Sequence, residues 1–210
     1  MPMLGTQVVH VVDDDLATRI AIDVILRSVG YDVALYENGA EFLARLGPDM
    51  TGCVILDVRL PGLGGLEVQR RLVDSSYSLP VIFLTAHADV EMAVRAMKAG
   101  AIEFLTKPFR EQDLLDAISC AMEASGARAR ALREHERAMR QVQSLSARER
   151  EIFLLLCEGR LGKQIAHDLN VSEATVKVHR RNLMQKLGVS SISQLILQFG
   201  IFATRNKLAA

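Results

Sequence analysis

Through its first 125 residues the chain alternates short, nearly unbroken apolar runs with segments whose apolar positions recur every three to four residues. The runs at 7–12, 31–36, 52–56, 80–84 and 101–105 have strand length and β-branched or aromatic content, so they predict five strands with helices between them. A strand without a polar face has to be covered on both sides. That requirement predicts a parallel sheet between layers of helices, an α/β domain built as five β-α repeats.

Beyond residue 125 the strand pattern disappears. Residues 125–143 are rich in Ala, Arg, Glu and Gln around one weak breaker, Gly126, and predict a helical linker. A loose apolar series that leads into it, Ile118, Met122, Ala129, Leu132 and Met139, is interrupted by Ser125 and Glu136, which fits either pairing between two chains or a solvated connector. Ser146 followed by Glu149 is a capping-box start for a helix over 147–158, which Gly159 ends. A short helix at about 163–169, a turn at Asn170 and Val171, a helix over 173–187 capped by Ser172 and ended by Gly188, and a last amphipathic helix from about 191 complete a small all-α domain. Two helices joined by so tight a turn make a helix-turn-helix candidate. The expected division is residues 1–124, a linker over 125–143, and residues 144–210.

Charge sharpens that division. The 210-residue chain is neutral, yet residues 1–125 hold 18 Asp and Glu against 10 Lys and Arg, while residues 126–210 hold 7 against 15. An acidic half tied to a basic half fits a C-terminal part that faces nucleic acid, with a solvated basic face as the plain alternative. Cys53, Cys120 and Cys157 are widely spaced in apolar surroundings and predict buried free thiols in a reducing cytoplasm. No stretch approaches a membrane span or an export signal.

Candidate chemistry lies at the predicted strand ends. Asp13, Asp14 and Asp15 follow the first strand and Asp57 the third. If the strand order is 2-1-3-4-5, the first and third strands are neighbours at the point where winding reverses, so Asp13, Asp14 and Asp57 converge. Three close carboxylates repel unless a cation sits among them, and a hard, oxygen-preferring Mg2+ (or Mn2+) suits them. Asp57 stands at a strand mouth before Arg59-Leu-Pro-Gly, placed to attack a phosphoryl group; Thr85 and Lys107 at the next two strand ends could hydrogen-bond and neutralise its oxygens. Asp15 reads as a helix cap.

This constellation resembles the receiver domain of two-component response regulators, a flavodoxin-like fold, over roughly residues 5–124. The resemblance implies that Asp57 accepts phosphate from a sensor histidine kinase and that Asp13, Asp14, Asp57 and the backbone carbonyl of Arg59 hold Mg2+. It implies that Thr85 and Lys107 read the phosphoryl group, that Phe104 is an aromatic switch, and that Lys107-Pro108 is cis. Arg59 and His87 fall where the family varies and tunes phosphate lifetime.

In the helix over 173–187, a 100° wheel puts Val176, His179, Leu183 and Leu187 on a packing side and Ala174, Lys177, Val178, Arg181 and Gln185 on the other. Arg or Lys reads guanine in the major groove, Gln reads adenine, and Val touches a thymine methyl. Arg180 and Lys163 suit phosphates, and Thr175 joins the candidate DNA-contact set. Leu145-Ser-Ala-Arg-Glu-Arg-Glu, Lys163-Gln-Ile-Ala, Ser172-Glu-Ala-Thr-Val-Lys-Val-His and Gln185-Lys-Leu-Gly-Val are similar to the LuxR-type helix-turn-helix over about residues 143–205. With the receiver, the chain resembles the NarL/FixJ family, departing at Gly162, where that family usually has Asn.

The resemblance implies a cytoplasmic transcription regulator, not an enzyme, that dimerises on phosphorylation and more often activates than represses. Its implied partners are the kinase, double-stranded promoter DNA, RNA polymerase and a second copy, the last helix pairing the DNA-binding domains. A phosphate relay or sink, and a basic domain that docks acidic proteins, are the competing classes.

Overall fold

The computed structural model describes residues 8–48, 50–75, 77–86 and 89–207, the last four by backbone alone. Gln7, predicted to open the first strand, and His87 lie outside the described residues. The chain divides into two compact units, Met1–Ala129 and Arg130–Ala210.

In the first unit β1 (Val8–Val12), β2 (Asp32–Tyr36), β3 (Gly52–Leu56), β4 (Val81–Thr85) and β5 (Glu103–Thr106) form one parallel sheet in the order β2-β1-β3-β4-β5. The helices between them are α1 (Leu16–Ser28), α2 (Gly39–Ala44), α3 (Gly65–Asp74) and α4 (Val90–Lys98). The apolar runs are divided between two cores. Val9, Val11, Cys53, Ile55, Ile82 and Leu84 pack on one face of the sheet, while Val12, Val54, Leu56, Val81 and Phe83 pack on the other, as the period-2 pleat requires. The edge strands β2 and β5 are less buried, because each has a neighbour on one side only.

His10 occupies an inward position where apolar neighbours would be expected. Its ring is satisfied by Tyr36 Oη at 3.0 Å and the carbonyl of Thr51 at 3.2 Å, and burial holds its pKa below the ordinary value. Gly65 allows another close approach: an added Cβ would collide with the carbonyl oxygen of Asp57, so only glycine lets α3 begin directly behind that residue.

The expected linker is continuous with the preceding helix. α5 runs Glu111–Gln143 without a break at Gly126, since one glycine costs only about 1 kcal/mol in a helix of strong formers. Leu114, Ile118 and Met122 join the core of the first unit, and Val142 that of the second. Of the apolar series considered for chain pairing, Leu132 and Met139 remain exposed. The expectation of three buried thiols fails at Cys120, which is exposed on α5; Cys53 is buried and Cys157 half-buried.

The second unit packs α6 (Ala147–Cys157), α7 (Gly162–Asp168), α8 (Glu173–Leu187) and α9 (Ile192–Lys207) around Ile152, Phe153, Ile165, Val176, Leu183, Leu195 and Phe199. The α6 capping box forms as predicted, Ser172 Oγ accepts from the amide of Thr175 at 3.1 Å, and Gly188 ends α8 in the left-handed conformation. Asn170 makes the α7–α8 turn at φ 51°, a conformation asparagine tolerates better than most residues. Among the described residues no single helix is long and apolar enough to cross a membrane.

Candidate functional site

The order β2-β1-β3-β4-β5 puts the carboxyl ends of β1 and β3 side by side, and the acids converge there. Oxygens of Asp13, Asp14 and Asp57 lie within 4.8 Å of one another. Asp13 and Asp57 are buried, the Asp57 side chain keeping 9% of its surface accessible, and Asp14 is exposed. Lys107, after β5, reaches into the cluster: its Nζ donates to Asp13 Oδ2 at 2.6 Å and to Asp57 Oδ2 at 2.9 Å. Burial alone would depress the pKa of this ammonium, but its bonds to both carboxylates outweigh that and raise it. Burial raises the pKa of Asp13, with Lys107 and the Asp15 amide pulling the other way.

The backbone holds the acids in place. The amide of Asp15 donates to Asp13 Oδ1 and the amide of Arg59 to Asp57 Oδ1, each at 3.0 Å. The carbonyl of Tyr36 accepts from the amide of Asp13 at 3.2 Å, tying β2 to the same turn. Asp15 caps α1, accepting from Ala17, Thr18 and the Thr18 hydroxyl, so it is committed to the helix. Thr85 ends β4 and is buried; Phe104 is half-buried on β5, its ring 5.9 Å from that of Phe83. The Lys107-Pro108 bond is cis.

Sequence reasoning missed Arg19. It is buried on α1, and its Nη1 donates to the carbonyl of Asp13 at 2.5 Å. An Arg four residues after Asp15 reads as a surface helix pair, and nothing in the spacing announces that it turns inward. Asp13 is thereby held at its amide, its carbonyl and both carboxylate oxygens.

The second candidate surface lies on α8. Val176, Leu183 and Leu187 are buried, whereas Ala174, Lys177, Val178, Arg181 and Gln185 are exposed, as the wheel requires. His179 is half-buried and does not reach the core. A concavity of about 1090 Å³ gathers Lys177, Val178, Arg180, Arg181 and Gln185; Lys163 and Thr175 do not line it. Lys163 is exposed on α7, and the Thr175 hydroxyl lies 2.8 Å from Ser172 Oγ.

Two family matches meet these two units. Residues 9–119 match the response regulator receiver domain, and residues 143–199 match the luxR family of bacterial regulatory proteins. Response regulator protein TmoT of Ectopseudomonas mendocina is 43% identical over 189 residues, 90% of this chain and 86% of that protein. Transcriptional regulatory protein FixJ of Bradyrhizobium diazoefficiens is 37% identical over 188 residues, 90% and 92% of the two chains. The chain belongs to the NarL/FixJ family of response regulators.

The solved response regulator StyR is similar throughout, with a TM-score of 0.80 and 44% identity over 92% of this chain and 98% of that one. This response regulator therefore combines a flavodoxin-like receiver with a LuxR-type DNA-binding domain and regulates transcription. Its acid cluster and α8 fall within the two matched regions.

Proposed function

We propose that phosphorylation of Asp57 by a sensor histidine kinase switches this regulator between a resting form and a form that dimerises and binds promoter DNA. The observation that carries the reading is the convergence of Asp13, Asp14, Asp57 and Lys107, four charged groups on three strand ends, around the Asp57 carboxylate. In this reading residues 1–124 carry the switch, 125–143 connect, and 144–210 read DNA in the cytoplasm.

An all-carboxylate set of this spacing fits a hard divalent cation, held by Asp13, Asp14, Asp57 and the carbonyl of Arg59. When bound, Mg2+ would neutralise phosphoryl oxygens as charge gathers on them. An oxygen of Asp57 attacks phosphorus; an O–P bond forms as the bond from phosphorus to the donor's imidazole nitrogen breaks, and that nitrogen keeps the electron pair and takes a proton. Lys107, already bonded to Asp57, stays beside the new acyl phosphate as its counter-charge. Thr85 moves its hydroxyl toward the phosphoryl oxygens, and Phe104 turns into the space beside Phe83. The altered surface from α4 to β5 favours receiver pairing, which presents two reading helices to paired half-sites. RNA polymerase is the expected downstream partner, with activation the expected sense.

On α8, Lys177 and Arg181 reach guanine edges, Val178 and Gln185 complete the reading, and Arg180, Lys163 and Thr175 engage the backbone. Acetyl phosphate with Mg2+ tests the switch: the intact chain gains one phosphoryl mass and its dimer fraction in light scattering rises. Asp57→Asn gains neither. Label retained by Asp57→Asn would reassign the acceptor, and a labelled chain that stays monomeric would remove the pairing step.

A further inference from the structure

Among the described residues, Glu149 is the one charged side chain of the second unit that is buried, at 4% exposure. Burying a carboxylate is costly unless it is paired and hydrogen-bonded, and this one is both. One of its oxygens, Oε2, accepts from the amide of Ser146 at 2.8 Å, closing the α6 cap. The same oxygen takes the ammonium of Lys186, in the last turn of α8, at 2.6 Å. The adjacent residue grips the other helix of the motif: Arg148 Nη2 donates at 2.9 Å to the carbonyl of Leu169, where α7 ends. The first turn of α6 thus holds the far ends of both α7 and α8.

Lys186 is basic, partly exposed and next to Gln185 on the reading helix, which makes it look like a contact for DNA phosphate. Its direction argues otherwise. Nine residues at 100° each put it about 180° around the helix from Lys177, on the side of Leu183 and Val176. The apolar contacts of Val176, Leu183 and Leu187 fix which side of α8 packs on the core but, being non-directional, set its rotation only coarsely. Directional bonds from α6 supply that constraint.

We propose that Arg148 and Glu149 form a clamp that sets the orientation of the reading helix, and that Lys186 is its strut rather than a DNA contact. All three are positioning residues. The proposal rests on the assignment of α8 as the reading helix and adds what aims it. Lys177, Val178 and Arg181 meet the groove together only at one rotation of α8, so a loosened clamp costs discrimination between sequences before it costs general attraction to DNA.

The test uses the full chain, treated with acetyl phosphate, and two probes: a duplex selected from a random pool by the wild type, and mixed-sequence DNA. Failure of the wild type to select any duplex would sink the reading-helix assignment itself, a result separate from those below. Lys186→Met and Glu149→Gln, the latter keeping an oxygen for the Ser146 amide, are each expected to weaken the selected duplex about tenfold, the size of one lost base contact. Binding to mixed-sequence DNA and the dependence of log K on log salt should match the wild type, while Lys163→Ala flattens that slope by about 0.9. The double variant should lose no more than either single one, and Lys186→Arg should restore affinity. The clamp is overturned if Lys186→Met weakens both probes equally and flattens the salt slope, which would make Lys186 a phosphate contact. It is also overturned if variants with wild-type circular dichroism bind the selected duplex unchanged. Should Glu149→Gln fail to fold, Lys186→Met and Arg148→Met decide between these outcomes.

Discussion

The acid pocket and the proposed reading face of α8 both depend on charged side chains, and they solve opposite problems. In the pocket, Asp13 and Lys107 are 94 residues apart in sequence, and both are largely withdrawn from water. Charges there have to be matched one against another, so each oxygen of Asp13 and each of Asp57 has a named donor. On α8, Lys177, Arg181 and Gln185 lie within one 15-residue helix and face solvent, where a charge needs no protein partner. The receiver site is thus a product of topology and the reading face a product of helical period. A change in the pocket should spread to its neighbours, whereas one on α8 should act at its own contact.

The sharpest way to break that comparison is at the reading face. Lys177→Ala with Arg181→Ala should leave acetyl-phosphate labelling intact and weaken operator binding at least ~30-fold, since each base contact is worth about 1–3 kcal/mol. Footprints at wild-type protein concentration would show that another face reads the DNA. Next in size is Arg19→Met, which leaves the buried carbonyl of Asp13 unpaired at a cost of about 1–3 kcal/mol and loosens the turn that carries Asp13 and Asp14. Calorimetric Mg2+ titration, chosen because the chain has no tryptophan, should find affinity lowered about tenfold with DNA binding unaltered. Wild-type Mg2+ affinity in that variant would remove Arg19 from the site.

Smaller still is a pH effect confined to the first unit. Burial keeps the pKa of His10 below 6.5, so an unfolded chain takes up a proton that the folded chain refuses. Stability contributed by neutral His10 is therefore present above 6.5 and lost as pH falls through the folded value. Denaturant midpoints on either side of 6.5 should differ more for the wild type than for His10→Gln; equal differences would mean His10 titrates normally. The mildest test concerns the thiols. Burial pushes Cys53 up to about 12 and Cys157 up to about 11, so iodoacetamide at neutral pH should modify exposed Cys120 first. Earlier labelling of Cys53 would contradict the packing of β3.

Much of this was legible in residue order. The five strands, the α6 capping box, Ser172 as a cap and Gly188 as a stop all follow from local rules, and the helical wheel separated buried Leu183 from exposed Lys177 correctly. Where the reading slipped, the cause was non-local. Cys120 sits among apolar neighbours in sequence, yet it falls on the outer side of α5 while Ile118 and Ala121 turn inward. Arg19 and Lys186 look like ordinary surface cations by spacing, and one is buried against Asp13 while the other is bound to Glu149.

By itself, the order of residues determined which segments become strands and helices, where several of them start and stop, and which side of α8 faces outward. Those outcomes depend on backbone torsions, caps and burial period, all settled within a few neighbours. Only the tertiary structure decided that Asp13, Asp57 and Lys107 share one pocket, that Arg19 braces it, and that α6 grips α7 and α8. Each of those contacts exists because particular strands and helices became neighbours, a long-range choice made by packing the two apolar cores of the sheet and the core of the second unit.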